Sequence, residues 1–417
     1  MYADGPARRV VITGRGVVSP VGLTVADYWA SLLAGRSGVK PITSFDASEM
    51  PVRISGEITD FDATDYMPRK VARRIDRFAH FAMAAVLEAI EEAKLTINDE
   101  LAPRTGVLIG SAFGANTIVH EAVLTVAKRG YRGLSPWASA GAATDSAACE
   151  VALRLNVQGP SGSVNTACAS SVTAIGNAMR MIQYGTTDVM LVGGADNPVT
   201  EIEIGGAHMA RALSTRNDEP ERACRPFDTD RDGFVMSAGS GMLVLEEAEH
   251  AMRRGAPIIA ELLGYGASSD SYHPAAPHPD GRGAQQAMRL AFADAGIQPS
   301  DVDYINAHGT STLLNDRIEI AAIREVFGTH AEQIPISSTK SSTGHMIGAA
   351  GAVELIACTQ AIVDGKVPPT INCDNPEDTA INFVAHRPQE RDVTVALSNS
   401  FGFGGHNAVV LVRRWQQ

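Results

Sequence analysis

Val10-Val-Ile-Thr-Gly-Arg-Gly returns late in the chain as Ala260-Glu-Leu-Leu-Gly-Tyr-Gly, and three more pairs of segments recur in the same order. Gly106-Val-Leu-Ile-Gly-Ser-Ala matches Val302-Asp-Tyr-Ile-Asn-Ala-His, each an apolar strand running into a small polar loop. Thr166-Ala-Cys-Ala-Ser-Ser corresponds to Thr339-Lys-Ser-Ser-Thr-Gly, and Ser237-Ala-Gly-Ser-Gly-Met-Leu-Val-Leu echoes Gly404-Gly-His-Asn-Ala-Val-Val-Leu. Each match is weak alone, but their shared order predicts a duplicated α/β fold divided near Ala256, with halves over 1–255 and 256–417. The runs 10–13, 107–110, 189–193 and 304–307 are apolar throughout, the pattern of strands in a sheet covered by helices on both faces. In open α/β sheets, sites gather at the carboxyl ends of strands, so equivalent loops of the two halves can converge on one pocket.

The 417 residues are 45% hydrophobic and 20% charged, enough to bury a substantial core. A net charge of -12 opposes nonspecific nucleic-acid binding, which needs a basic field. No long unbroken apolar run and no basic-then-apolar leader are read at the start, so a cytoplasmic protein without a membrane segment is expected. Cys149, Cys168, Cys224, Cys358 and Cys373 are scattered, with no Cys-x-x-Cys pair, and are expected as reduced thiols without structural zinc. Arg69, Lys70, Arg73, Arg74 and Arg77 are spaced to share one side of a helix, either a solvated face or a local patch for an acidic partner.

Cys168 directly precedes a stretch whose Val172, Ile175, Met179 and Ile182 form one helical stripe, with Gly185 ending it. A thiol at a helix N-terminus feels the positive end of the dipole, which favours thiolate, and meets unpaired amides suited to an oxyanion. A buried inert cysteine is the plainer alternative. His308 follows the expected strand 303–307, and His345 sits between the strand 334–338 and a helix running to about 363. Neither belongs to a close metal-ligand pair, so non-metal roles are expected. Asp228-Thr-Asp-Arg-Asp-Gly begins like a calcium loop but has Gly239 where a bidentate Glu is needed. Gly14-Arg-Gly-Val-Val-Ser lacks the third glycine of a dinucleotide loop.

Taken together, Val10-Val-Ile-Thr-Gly, Thr166-Ala-Cys, Arg211-Ala-Leu-Ser-Thr-Arg-Asn-Asp, Arg231-Asp-Gly-Phe-Val, Asn306-Ala-His-Gly-Thr-Ser-Thr, Ser338-Thr-Lys-Ser, Gly344-His and Asn399-Ser-Phe-Gly-Phe-Gly-Gly resemble the beta-ketoacyl-acyl carrier protein synthases. The synthase II type and its type II polyketide ketosynthase relatives are the most similar, over nearly the whole chain. The resemblance implies a thiolase-like fold of five layers, α-β-α-β-α, built from two similar halves, and a dimer. It implies that Cys168 accepts an acyl group from an acyl carrier protein, with the backbone amides of Cys168 and Phe401 as oxyanion hole. His308 and His345 are then expected to stabilise the enolate formed when malonyl-carrier protein loses carbon dioxide. Lys340 is expected to organise the site and to pair with Glu319. Thr310 and Thr312 match positions that hydrogen-bond the pantetheine arm, and Phe113, Phe401 and Phe403 positions that shape the acyl pocket. Arg73, Arg74 and Arg211 match carrier-docking positions. No cofactor is implied beyond the phosphopantetheine carried by the acyl carrier protein.

Some positions depart from the synthase II pattern: Phe113 stands where a smaller aliphatic residue is usual, Leu313-Leu-Asn replaces a Pro-Ala-Gly-like turn, Ser170-Ser171 follows the nucleophile, and His406 is unusual. The departures spare the catalytic set and bear on substrate. Fatty-acid elongation by a homodimer is the leading expectation. A polyketide ketosynthase subunit in a heterodimer with a chain-length-factor subunit is the alternative, and a noncatalytic partner of the same fold comes after it.

Overall fold

A computed structural model describes residues 8–416, so residues 1–7, part of the segment read for a leader, and residue 417 lie outside it. Among the described residues, ten strands pair in one mixed sheet. They are β1 (Val10–Val18), β2 (Thr105–Gly110), β3 (Ser161–Val164), β4 (Val189–Asp196), β5 (Gly239–Glu247), β6 (Ala260–Ser269), β7 (Tyr304–Asn306), β8 (Ile336–Ser337), β9 (Val395–Gly402) and β10 (His406–Arg414). Their spatial order is β8-β7-β9-β10-β6-β1-β5-β4-β2-β3. Read outward from the central β1–β6 contact, β1-β5-β4-β2-β3 is repeated as β6-β10-β9-β7-β8. All four recurrent segment pairs fall on equivalent strands or on the turns that follow them. A fifth equivalence, β4 with β9, was not read from the sequence. Val189-Met-Leu-Val-Gly-Gly-Ala-Asp and Val395-Ala-Leu-Ser-Asn-Ser-Phe-Gly share little beyond Val and Leu at the first and third positions.

Six helices repeat the same way: α1 (Arg77–Ala93), α2 (Ser146–Leu155) and α3 (Ser170–Gln183), then α4 (Arg282–Ala295), α5 (Leu313–Phe327) and α6 (Ala350–Asp364). Helices α3 and α6 lie side by side in the middle, each packed on strands of both halves. Outside the two five-stranded leaves, α1 and α2 cover one and α4 and α5 the other, giving five layers. The stripe Val172, Ile175, Met179 and Ile182 of α3 is buried in this middle layer. Burying each such side chain is worth about 1.5–3 kcal/mol. Gly176 of α3 lies under the ring of Tyr265 on β6, which a Cβ would approach to 2.5 Å.

The Gly-x-Gly of β1 is a seat for a helix. A Cβ on Gly14 or Gly16 would stand 1.9 Å from the carbonyl oxygen of Ala89 or Ala85 in α1. In β6, Gly264 and Gly266 make the same room, 2.6 and 2.1 Å from the carbonyl oxygens of Ala291 and Ala287 in α4. Both pairs exist because the outer helix rests directly on the strand backbone.

The stretch 347–364 passes as long and apolar enough to cross a membrane by length and mean hydropathy, but it is interrupted by Glu354, Thr359 and Gln360, and 83% of it is buried, mostly in the core helix α6. One expectation changes. The basic cluster does not share one helix: a short turn, Arg69–Ala72, ends before α1, which starts at Arg77 behind the N-cap Asp76. Arg73 is exposed, whereas Arg74 bonds Glu150 at 3.0 Å and lies over Trp137. Arg77 donates to the carbonyl of Ile58 at 2.6 Å.

Candidate active site

From the end of β3 the chain turns sharply into α3, and Ala167 takes φ +51°, a left-handed conformation that costs a non-glycine residue about 1–2 kcal/mol. The turn puts Cys168 at the head of α3, which no side chain caps. Gly402 closes over it: a Cβ there would lie 3.0 Å from the Cys168 nitrogen. The amide of Phe403 also bears on the sulfur and favours its charged form. Phe401, whose amide is expected in the oxyanion hole, lies in the β9–β10 ladder opposite Asn407 and directly precedes Gly402.

The thiolate expected at the helix N-terminus meets an opposing desolvation. Burial pushes the Cys168 thiol up to about 12, against the charge of Lys340 and the amides of Phe403 and Cys168. The helix N-terminus was legible from sequence, but the desolvation that outweighs it was not. Iodoacetamide should therefore alkylate Cys168 in the free protein more slowly than the exposed Cys149 at pH 7.5. Peptide mass spectrometry should show the Cys168 rate rising about tenfold per pH unit without a plateau up to pH 10, since the thiolate fraction grows as pH nears the thiol pKa.

His308 and His345 arrive from the other half. His308 follows β7, with its amide donating to Glu319 Oε1 at 2.8 Å and the Gly309 amide donating to Oε2 at 2.7 Å. Asn399 also donates to Glu319, and burial raises this carboxyl to about 7. His345 is pinned by backbone bonds to residues before β5: its N–H donates to Val235 at 2.7 Å and its carbonyl accepts from Ser237 at 2.9 Å. The two rings meet edge to face, with centroids 5.4 Å apart. Burial holds both imidazoles well below the usual histidine range, and Lys340 pushes both the same way, so both rings are neutral at pH 7.

Lys340 lies behind them, 1% exposed. Its Nζ donates to the His308 carbonyl at 2.6 Å, stands 3.4 Å from His308 Nδ1, and forms a buried ion pair with Glu354 of α6. The expected Lys340–Glu319 pair is thus replaced by Lys340–Glu354, while Glu319 is occupied by two amides and Asn399. An ammonium has no lone pair to offer, so Nδ1 of His308 accepts and the ring proton sits on Nε2. Neither ring nitrogen of His345 has a protein partner among the described residues.

Cys168, His308 and His345 wall one cavity of about 590 Å³. Phe113, Phe401 and Phe403 line it, as do Thr310 and Thr312, whose hydroxyls are 2.9 Å apart, and the exposed Arg211. Leu313 and Leu314 stand in the wall, both more than half exposed. Buried charges to which the sequence reading gave no role also hold the site. Arg231 donates to the carbonyls of Thr312 and Leu313 and so holds the threonine loop, helped by Asp316, which accepts from the Ser311 and Phe227 amides. Glu354 is the lysine's partner. Asp196, raised to about 6 by burial, accepts from loops of both halves. The Arg231 motif was quoted as a family marker; Asp196 and Glu354 carry no local pattern. Asp228, read as a false calcium ligand, is held by Arg225 and the Asn375 amide.

Comparisons with known proteins agree with this arrangement. The family model described as beta-ketoacyl synthase, N-terminal domain, matches residues 7–251, and the C-terminal domain of the same family matches 259–374. The chain is 47% identical over 410 residues to the 3-oxoacyl-[acyl-carrier-protein] synthase 2 of Synechocystis, covering 98% of this chain and 99% of that protein. It is 47% identical over 408 residues to the protein of the same name in Coxiella burnetii, with the same coverage. Among solved structures, the ishigamide ketosynthase/chain length factor superposes with a TM-score of 0.91 at 35% identity, over 98% of this chain and all of that one (100%). A type II polyketide ketosynthase in complex with its acyl-carrier protein and bound to the hexaketide gives 0.90 at 34%, again over 98% and 100%. With Cys168 at a helix head and two histidines from matching halves in one cavity, a thiolase-like fold, and full-length relatives at this identity, the chain belongs to the beta-ketoacyl synthase family.

Proposed function

We propose that this chain catalyses the decarboxylative condensation of an acyl group held on Cys168 with malonyl-acyl carrier protein, giving a beta-ketoacyl-acyl carrier protein in fatty-acid elongation. The observation that carries the reading is the single cavity walled by Cys168, His308 and His345, with Lys340 buried behind. Two halves, 1–255 and 256–417, supply the nucleophile and the histidines respectively.

In the first step the sulfur of Cys168 attacks the thioester carbonyl of the acyl-carrier protein. The carbonyl oxygen gains charge and is met by the amides of Cys168 and Phe401, the tetrahedral centre expels the pantetheine thiolate, and the thiol proton passes to it. In the second step the malonyl carboxylate leaves as carbon dioxide, and its electron pair becomes an enolate whose oxygen faces the imidazole N–H groups. Neutral imidazoles suit this task, since the carboxylate must leave without being neutralised in a stable ion pair. The enolate carbon then attacks the acyl-Cys168 carbonyl, the C–S bond breaks, and the released thiolate takes up a proton, as its high pKa demands. Lys340 fixes the tautomer of His308, and burial first, then the Lys340 charge, keeps both rings neutral.

Thr310 and Thr312 hold the pantetheine arm, while Phe113, Phe401 and Phe403 shape the space for the acyl chain. Arg73, Arg74 and Arg211 receive an acidic carrier protein by local charge despite the negative total. The protein needs no cofactor of its own, works in the cytoplasm, and acts as a dimer. A heterodimer with a chain-length-factor subunit is supported by the solved structures of that kind, but those stand at 35% identity or below against 47% for the synthase 2 relatives. Mass spectrometry after incubation with acyl-carrier proteins of graded length, then malonyl-carrier protein, tests the reading. An acyl mass on Cys168 should appear and then vanish as the extended ketoacyl product forms. A chain that is acylated but extends nothing until a second, related subunit is added would favour the heterodimer instead.

A further inference from the structure

Asp196, the last residue of β4, is completely buried, and its carboxylate accepts four hydrogen bonds. Oδ1 accepts the Ser111 hydroxyl at 2.6 Å and the Phe113 amide at 3.1 Å; Oδ2 accepts the Ala112 amide at 3.0 Å and the Gly348 amide at 2.8 Å. One side chain thus ties the loop after β2, in the first half, to the loop after His345, in the second. Each loop puts an apolar residue in the cavity wall, Phe113 from the first and Ile347 from the second.

Ile347 is held at φ +49°, where a β-branched side chain crowds its own backbone. Such strain persists only where the surroundings over-determine it. The Asp196–Gly348 bond supplies that constraint on one side, and the Ala349 amide, bonded to the Met346 carbonyl at 3.0 Å, supplies it on the other. Gly348 approaches the carboxylate so closely that a Cβ would stand 2.6 Å from Oδ2.

We infer that Asp196 is a positioning residue for acyl-chain selection: by clamping both loops with one carboxylate it fixes Phe113 and Ile347 relative to each other, and with them the space open to an acyl chain on Cys168. The inference rests on the proposed function. Its test is the rate of acyl transfer to Cys168 from acyl-carrier proteins graded from butanoyl to hexadecanoyl, followed by mass spectrometry for wild type, Asp196→Asn and Ser111→Ala. Asparagine keeps one acceptor oxygen and turns an NH₂ toward the other pair of donors, so the clamp opens. Ser111→Ala removes one donor and leaves the charge.

Discrimination between the preferred chain and longer ones should fall by about fivefold or more in Asp196→Asn, and by about two- to threefold in Ser111→Ala. A change acting only through the charge felt by the Cys168 sulfur, or a loss of active protein, scales every chain alike and cancels in the ratio. A profile of unchanged shape in both variants overturns the inference, and where Asp196→Asn fails to fold, Ser111→Ala decides alone. Absence of acyl mass on wild-type Cys168 would instead overturn the functional reading and this inference with it.

Discussion

Cys168→Ala takes up no acyl mass from acyl-carrier protein and makes no extended product, with condensation falling by about 10³-fold or more. The loss should be this complete because, among the described residues, no other thiol lines the cavity. Cys224, Cys358 and Cys373 are buried elsewhere with thiols pushed up by desolvation, and Cys149 is exposed on α2. Alanine removes one sulfur atom from a site whose backbone is already set by the Ala167 turn and by Gly402, so the fold should survive. Intact-protein and peptide mass spectrometry read the result directly. A covalent acyl adduct persisting on the alanine variant would sink the assignment of the nucleophile.

His308→Ala and His345→Ala should both accept the acyl group yet condense about 10²- to 10³-fold more slowly, the usual cost of removing one aimed donor from a developing oxyanion. The separation of the two steps is the informative part. In the proposed mechanism acyl transfer uses the amides of Cys168 and Phe401, which neither substitution touches, whereas decarboxylation needs the imidazoles. The acyl-enzyme mass should therefore accumulate and persist after malonyl-carrier protein is added. Carbon dioxide release, measured in the same mixture, should fall with product formation. Variants that condense within about threefold of wild type, or that fold but cannot be acylated, would contradict this division of labour.

How much of this was visible in the sequence depends on whether the physics is local. Strands buried on both faces announce themselves as apolar runs, and a helix stripe such as Val172–Ile182 has its own period, so the α/β character and the Cys168 elbow could be read directly. The duplication could be read because strand-to-loop transitions recur, although β4 and β9 share too few residue types to be paired. What failed was long-range. Lys340 meets Glu354 because α6 passes back behind the site, fourteen positions on, whereas Glu319 looked equally suitable and turned out to serve the His308 backbone. The dipole at Cys168 was legible from its place before a helix, but the desolvation that overrides it arises from packing by both halves. Asp196 was invisible because an isolated aspartate after a strand looks like any loop residue until its four donors, from two distant loops, are assembled around it. The basic cluster was over-read as one helix although Asp76 stood within it as a helix-starting signal.

The placement of α3 and α6 has a consequence for the ancestry of such a chain. Each of these helices is sandwiched between strands of both halves, with Gly176 flat against Tyr265 across the boundary. A polypeptide consisting of one half alone would leave the apolar flank of its own inner helix open to water. A single-copy forerunner could thus have been stable only by docking head to head with its twin, and gene fusion would have made that partnership permanent, freeing one copy to keep the sulfur while the other evolved the histidines.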